Sequence, residues 1–102
     1  METVGETIRA KRESLGLLLR QVAFYLDIDQ AILSKIERNE RKPTKENLIK
    51  LAEMLKLDEE KLLVQFMSER IALEIADIDF ASKVLKAAEK KVKYLKSNFA
   101  KN

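Results

Sequence analysis

Apolar residues along this chain recur three and four positions apart, the period of helix faces rather than of strands. Val22, Ala23, Leu26, Ile28, Leu33 and Ile36 fall on one inward face of the stretch from Leu17 to Pro43. Two short helices fit there, about Leu19 to Leu26 and Gln30 to Arg38. Asp27 occupies the turn between them, and Asp29 is the expected N-cap, its carboxylate accepting bonds from the first free N–H groups. Before this pair, a helix from about Val4 to Leu15 turns Ile8 and Leu15 inward, and Gly16 closes it in the left-handed conformation. After the pair, Asn39 is the left-handed cap. Pro43 then breaks helical structure, and Thr44 caps a helix from about Lys45 to Lys56 that buries Leu48, Leu51, Ala52 and Leu55. Asp58 caps a fifth helix reaching about Ile75, with Glu59 and Glu60 in its favourable first turn. Asp79 caps a sixth, about Phe80 to Phe99. The pattern predicts an all-α fold, with a first helical module over residues 1–66 and a helical extension over residues 67–102.

The extension has a pattern of its own. Ala81, Leu85, Ala88, Val92, Leu95 and Phe99 are spaced four, three, four, three and four. That is an a/d seam over nearly three heptads, and a single seam needs a partner. Helix five of the same chain and helix six of a second chain both fit. Leu85, Ala88, Val92, Leu95 and Phe99 are the candidate dimerisation residues.

Two short helices joined by a tight turn, with a basic loop after the second, are the layout of a helix-turn-helix DNA reader. If Leu33 and Ile36 face the core, then Gln30, Ala31, Ser34 and Lys35 face outward. That set suits base edges in a major groove: Gln for adenine, Lys for guanine or phosphate, and small Ala and Ser for close approach.

Composition narrows the alternatives. Gly and Pro together number three in 102 residues, too few breaks for a strand-rich fold. There is no Cys and no His, so disulfides, zinc fingers, thiol nucleophiles and imidazole catalysis are excluded. Neither a nucleophile–base pair nor a phosphate-cradling glycine loop is visible. Carboxylate pairs such as Glu59 with Glu60 and Asp77 with Asp79 are better explained by capping and surface charge. The chain reads as no enzyme, with no cofactor and no metal. No apolar run approaches a membrane span or a signal peptide, so a cytoplasmic protein without membrane contact is expected. The net charge of +3 is unevenly spread. Residues 58–79 hold two Lys/Arg against seven Asp/Glu, and residues 80–102 hold seven against one. Two C-terminal helices that attract each other are one reading, and a basic helix free to meet phosphate is the other.

The segments IRAKRESLGL, QVAFYLDI, LSKIER, the RKP loop, ENLIKLAEML and KLDEEKLL fall in register over about 60 residues. In this the chain resembles the phage-repressor-like (XRE) family of helix-turn-helix transcriptional regulators, over roughly Val4 to Leu63. The resemblance implies a five-helix bundle that binds double-stranded DNA as a two-fold dimer, its third helix in the major groove. It implies base reading by Gln30 and Lys35, with Ala31 and Ser34 beside them. Arg38, Arg41, Lys42 and Lys45 match the region that grips the sugar-phosphate backbone. Arg20 and Gln21, opening the second helix, add contacts to a neighbouring phosphate. An Arg late in helix one and a Glu late in helix three pair across such bundles, and here these are Arg12 and Glu37. Several positions depart from the pattern: Leu18 and Leu19 where Ser/Thr and Gln are usual, Asp27 for the turn glycine, Asp29 for a Ser/Thr cap, and Glu40 inside the basic loop. Phe24 and Tyr25 replace exposed polar residues, and with Leu18 and Leu19 they make an apolar patch expected to be covered.

The expected function is therefore a sequence-specific transcriptional regulator acting as a homodimer on an inverted-repeat operator, in the manner of a restriction–modification controller or a phage-type repressor. The alternative is an antitoxin-type interaction module whose C-terminal helices neutralise a partner, a cognate toxin or another operon-encoded protein.

Overall fold

The structure, a computed structural model, describes residues 1–100; Lys101 and Asn102, the end of the expected extension, lie outside the described residues. Among the described residues six helices follow one another: α1 (Val4–Ser14), α2 (Leu19–Leu26), α3 (Gln30–Glu37), α4 (Lys45–Leu55), α5 (Glu59–Ile75) and α6 (Ala81–Ala100). They divide into two compact units, residues 1–70 and a second beginning at Ile71.

In the first unit each helix is started and stopped by local chemistry. Thr3 opens α1 with a capping box: the Glu6 N–H donates to Thr3 Oγ1 at 3.2 Å, and the Thr3 N–H donates to Glu6 Oε1 at 3.4 Å. The helix then buries Val4, Gly5, Ile8 and Arg12, one face at i, i+4 spacing. It ends at Ser14, and Gly16 turns the chain out at φ 70°. Leu15 was expected to face inward; it sits in the C-cap position and is 38% exposed. The half-buried Leu17, beyond the glycine, packs against the core instead.

At α2 the Leu18 N–H donates to Gln21 Oε1 at 2.7 Å, so a glutamine inside the helix caps its own start. Asp27 ends the helix in the left-handed region at φ 57°. Asp29 stands at the N-cap of α3 in extended conformation, yet its carboxylate accepts no hydrogen bond there. Its backbone carbonyl takes the Ile32 and Leu33 N–H groups at 3.0 and 3.2 Å. The turn geometry thus suffices without the side-chain cap expected of it. α3 stops at Glu37, and Asn39 closes it at φ 62°. The Asn39 and Glu40 N–H groups reach back to the carbonyls of Ile36 and Lys35 at 3.1 and 2.8 Å. Thr44 and Asn47 form the capping box of α4, and Lys56 ends that helix at φ 58°, one residue short of the expected boundary. Asp58 Oδ1 accepts the Lys61 N–H at 2.9 Å and opens α5.

The core is apolar and contiguous. Ile8, Val22, Leu33, Ile36, Leu48, Leu51 and Leu55 are fully buried, with Leu62 and Phe66 closing one side. Each such side chain contributes roughly 1.5–3 kcal/mol by leaving water. Ile28 and Ile32 are half-buried against this cluster. Leu18, Phe24 and Tyr25 remain exposed, Phe24 at 88%, so the unit does not itself supply the cover expected over that patch.

The second unit is dominated by α6, 20 residues long. It begins at Ala81, and the Phe80 carbonyl accepts the Lys83 and Val84 N–H groups at 3.0 and 3.2 Å. Among the described residues Asp79 makes no capping bond, so the cap expected of it is replaced by backbone. The chain's apolar seam runs along this helix, with Leu85 48%, Val92 49% and Phe99 70% exposed.

Candidate nucleic-acid interface

α3 has two unlike edges. Leu33, Ile36 and Glu37 are buried, whereas Gln30, Ala31 and Lys35 are exposed. The side chains of Gln30 and Lys35 make no hydrogen bond or ion pair among the described residues, so both are free to meet an outside partner. Ser34 is half-buried at the flank of the same edge, lining a recess with Arg9, Arg12, Leu19, Glu37 and Arg38. It borders the exposed edge rather than standing on its crest.

The basic residues near the end of α3 differ from one another. Arg41, Lys42 and Lys45 are exposed and form no ion pair among the described residues. Arg38 is also exposed, but its Nε donates to Glu40 Oε2 at 2.8 Å. Glu40 is therefore paired with the Arg38 guanidinium at the end of α3 rather than standing alone. At the start of α2 Arg20 is exposed and unpaired among the described residues. Gln21 has its amide oxygen engaged by Leu18, which leaves the amide N–H groups as its donors.

The buried edge of α3 is held by charge as well as by packing. Arg12 Nε donates to Glu37 Oε2 at 2.7 Å, and Arg12 Nη2 to Glu37 Oε1 at 3.0 Å. This two-pronged geometry matches the guanidinium fork to the carboxylate. Arg12 Nη1 also donates to the Leu17 carbonyl at 2.9 Å, tying the α1–α2 loop into the same group. The hydrogen bond to Glu37 pushes the Arg12 guanidinium above its ordinary value despite burial, so Arg12 stays charged throughout the working pH range.

A second fixture lies at the first turn of α1, and the sequence reading passed over it. Gly5 is buried in the helix with the Ile36 and Glu37 carbonyls and Asn39 Oδ1 so near that an added Cβ would meet them at 2.6, 2.7 and 2.6 Å. No other residue permits α1 and the end of α3 to approach so closely. A lone glycine inside a helical pattern, at the second middle position of a Thr-x-x-Glu capping signature, was the available signal. The candidate assembly residues Leu85, Ala88, Val92, Leu95 and Phe99 are all exposed along α6.

Among the described residues no group of His, Cys, Asp or Glu is placed to hold a metal ion, and no helix is long and apolar enough to cross a membrane.

The sequence profile of a helix-turn-helix family matches residues 8–62. The chain is 41% identical over 64 residues to the HTH-type transcriptional repressor RghR of Bacillus subtilis (strain 168). The match covers 62% of this chain and 47% of that protein, so the chain spans about half the length of its curated relative. Among solved structures it is similar to the clp gene regulator ClgR from Corynebacterium glutamicum, with TM-score 0.57 and 25% identity over 85% of this chain and 90% of that one. The SinR protein/SinI protein complex shares the fold, with TM-score 0.55 and 22% identity over 93% and 99% of the two chains.

Proposed function

Because the chain belongs to the phage-repressor-like (XRE) family of helix-turn-helix transcriptional regulators, we propose that it represses transcription as a homodimer seated on an inverted-repeat operator. The observation that carries this reading is the division of α3 into a fixed buried edge and an unengaged polar one. A helix that offers free Gln and Lys side chains while Leu33, Ile36 and Glu37 anchor it can enter a major groove without unfolding anything.

Gln30 is the proposed reader of adenine, through its amide, and Lys35 of guanine O6/N7 or an adjoining phosphate. Ala31 lies close to the bases, and Ser34 offers its hydroxyl at the flank. Arg20, Arg41, Lys42 and Lys45 are the proposed phosphate contacts, with Gln21 donating through its amide. Arg38 joins them once it gives up Glu40. The α6 seam, Leu85 to Phe99, is the proposed assembly surface that sets the half-sites about 34 Å apart, one turn of duplex. The name of the Bacillus relative favours repression over activation.

Selection from random duplex oligonucleotides tests the reading directly. The expected product is an inverted repeat whose half-sites are one helical turn apart. With about four phosphates neutralised per half-site, log affinity falls against log salt with a slope near −7. No enriched sequence, or a slope near zero, overturns the proposal.

A further inference from the structure

Asn39 directly follows Arg38 at the end of the proposed reading helix, outside the set of residues assigned to DNA. Its backbone is left-handed at φ 62°, which glycine would adopt at no cost. An asparagine here therefore calls for a reason beyond closing the helix. Its side chain supplies one: Asn39 Nδ2 donates to Thr3 Oγ1 at 2.7 Å, across 36 residues of sequence.

Such a bond positions α3 only if its far end is fixed, and Thr3 is fixed from several sides. Its hydroxyl accepts the Glu6 N–H at 3.2 Å and donates to Glu6 Oε1 at 2.9 Å, so with Asn39 its donor and both lone pairs are in use. On one side of it, the Val4 N–H donates to Glu69 Oε1 of α5 at 3.1 Å. On the other, the Glu2 carbonyl accepts from Gln65 Nε2 at 3.1 Å. Gly5, two residues on, lets the α3 terminus rest against this turn.

From this we infer that Asn39 and Thr3 form one positioning device, which sets where the α3 terminus and the basic loop after it stand relative to the bundle. The inference rests on the DNA-reading role proposed above. Asn39 acts through Thr3, not by touching bases.

A double-mutant cycle on operator affinity tests it, using the full chain at a temperature where all variants are folded. Asn39→Gly keeps the left-handed turn but removes the tie. It is expected to weaken operator affinity about three- to tenfold, the scale of one hydrogen bond, while Tm holds or rises. Thr3→Val keeps the shape and removes the hydroxyl; it lowers Tm through the lost cap and weakens the operator to a similar degree. The double variant then binds no worse than the weaker single variant. Affinity for random-sequence duplex, and its salt slope, stay near wild-type values throughout, since Arg41 and Lys42 keep their charges and their long side chains can follow a phosphate when the loop shifts.

Additive losses would show that the two residues act independently, as when Asn39 contacts DNA itself, and would overturn the inference. So would an operator affinity for Asn39→Gly within experimental error of wild type. Failure of the wild-type chain to select any operator would strike instead at the proposed function.

Discussion

Replacing Glu37 with alanine should separate the anchoring edge of α3 from its proposed reading edge. Arg12 and Glu37 are only 7% and 5% exposed. The substitution therefore leaves a guanidinium in a poorly solvated place with its two bonds of 2.7 and 3.0 Å gone. Breaking a buried pair from one side costs about 3–5 kcal/mol, because the remaining charge cannot recover its water. Two features favour the lower end. Arg12 keeps its bond to the Leu17 carbonyl at 2.9 Å, and Glu13 lies 3.8 Å from it. A loss of about 3 kcal/mol in a unit of this size lowers Tm by roughly 12–24 °C. Urea unfolding followed by circular dichroism gives the free energy, and an unchanged m-value shows that the loss lies in the native state. The companion variant Arg12→Met/Glu37→Leu removes both charges and fills the space with apolar atoms. It should recover most of the loss, since the desolvation of the pair disappears with the pair. A loss below about 1 kcal/mol for Glu37→Ala, or a double variant no better than the single one, would refute the argument that burial makes this pair matter.

Three further outcomes follow from the same geometry. Gln30→Ala should leave Tm within a degree or so, since exposed substitutions change stability little, yet weaken operator binding by about 1–3 kcal/mol and relax preference at one base position; equal Tm losses in Gln30→Ala and Glu37→Ala would contradict the division of labour. Gly5→Ala must open contacts of 2.6 Å to at least the 3.4 Å of ordinary packing. Its overpacking of about 1–3 kcal/mol should exceed the helix propensity that alanine gains, so a thermal melt shows a lower Tm; a higher one would mean that the close approach relaxes freely. The Glu13 carboxyl is held below its ordinary 4.5 first by the hydrogen bond from Arg9 and then by its charge. Whatever stability this exposed pair adds is present above the unfolded value and lost as pH falls through the lowered one. Carboxyl NMR titration should show the midpoint returning toward 4.5 in Arg9→Ala.

Much of the first unit was legible because its buried faces are continuous in sequence. Val22, Ala23 and Leu26, or Leu48, Leu51, Ala52 and Leu55, announce their helices by spacing alone, and Gly16, Asn39 and Thr44 mark helix ends by conformational preference. The misplaced side chains lie where two local rules compete. Leu15 continues the apolar spacing of α1, but the glycine beside it ends the helix first, and Leu17 takes the inward position. Asp29 has the right backbone for an N-cap, yet the Asp29 carbonyl satisfies the N–H groups of Ile32 and Leu33 without help from the carboxylate. The tie between Thr3 and Asn39 leaves no local trace, because its partners meet only once α1 and α3 are packed together. The Arg12–Glu37 pairing, 25 residues apart, was accessible through family resemblance alone. For the reading edge, periodicity could say which residues face outward, but not that Glu40 holds Arg38 or that Leu18 occupies the oxygen of Gln21.

The length of α3 gives these fixtures their functional weight. At eight residues it has about two turns, far below the length at which a helix holds in water by itself. Its direction and depth are consequently imposed by what it is packed on: Leu33 and Ile36 in the core, Glu37 on Arg12, and its last turn against Gly5. A shift at any of these would carry Gln30 and Lys35 together, since both ride on the same rigid turns. Bidentate contacts to base edges tolerate little displacement, whereas flexible lysines can follow a phosphate. Damage to the anchoring edge should therefore reduce discrimination between sequences before it reduces attraction to DNA as such. The ratio of operator to random-sequence affinity is for that reason the more sensitive measure of how this short helix is held.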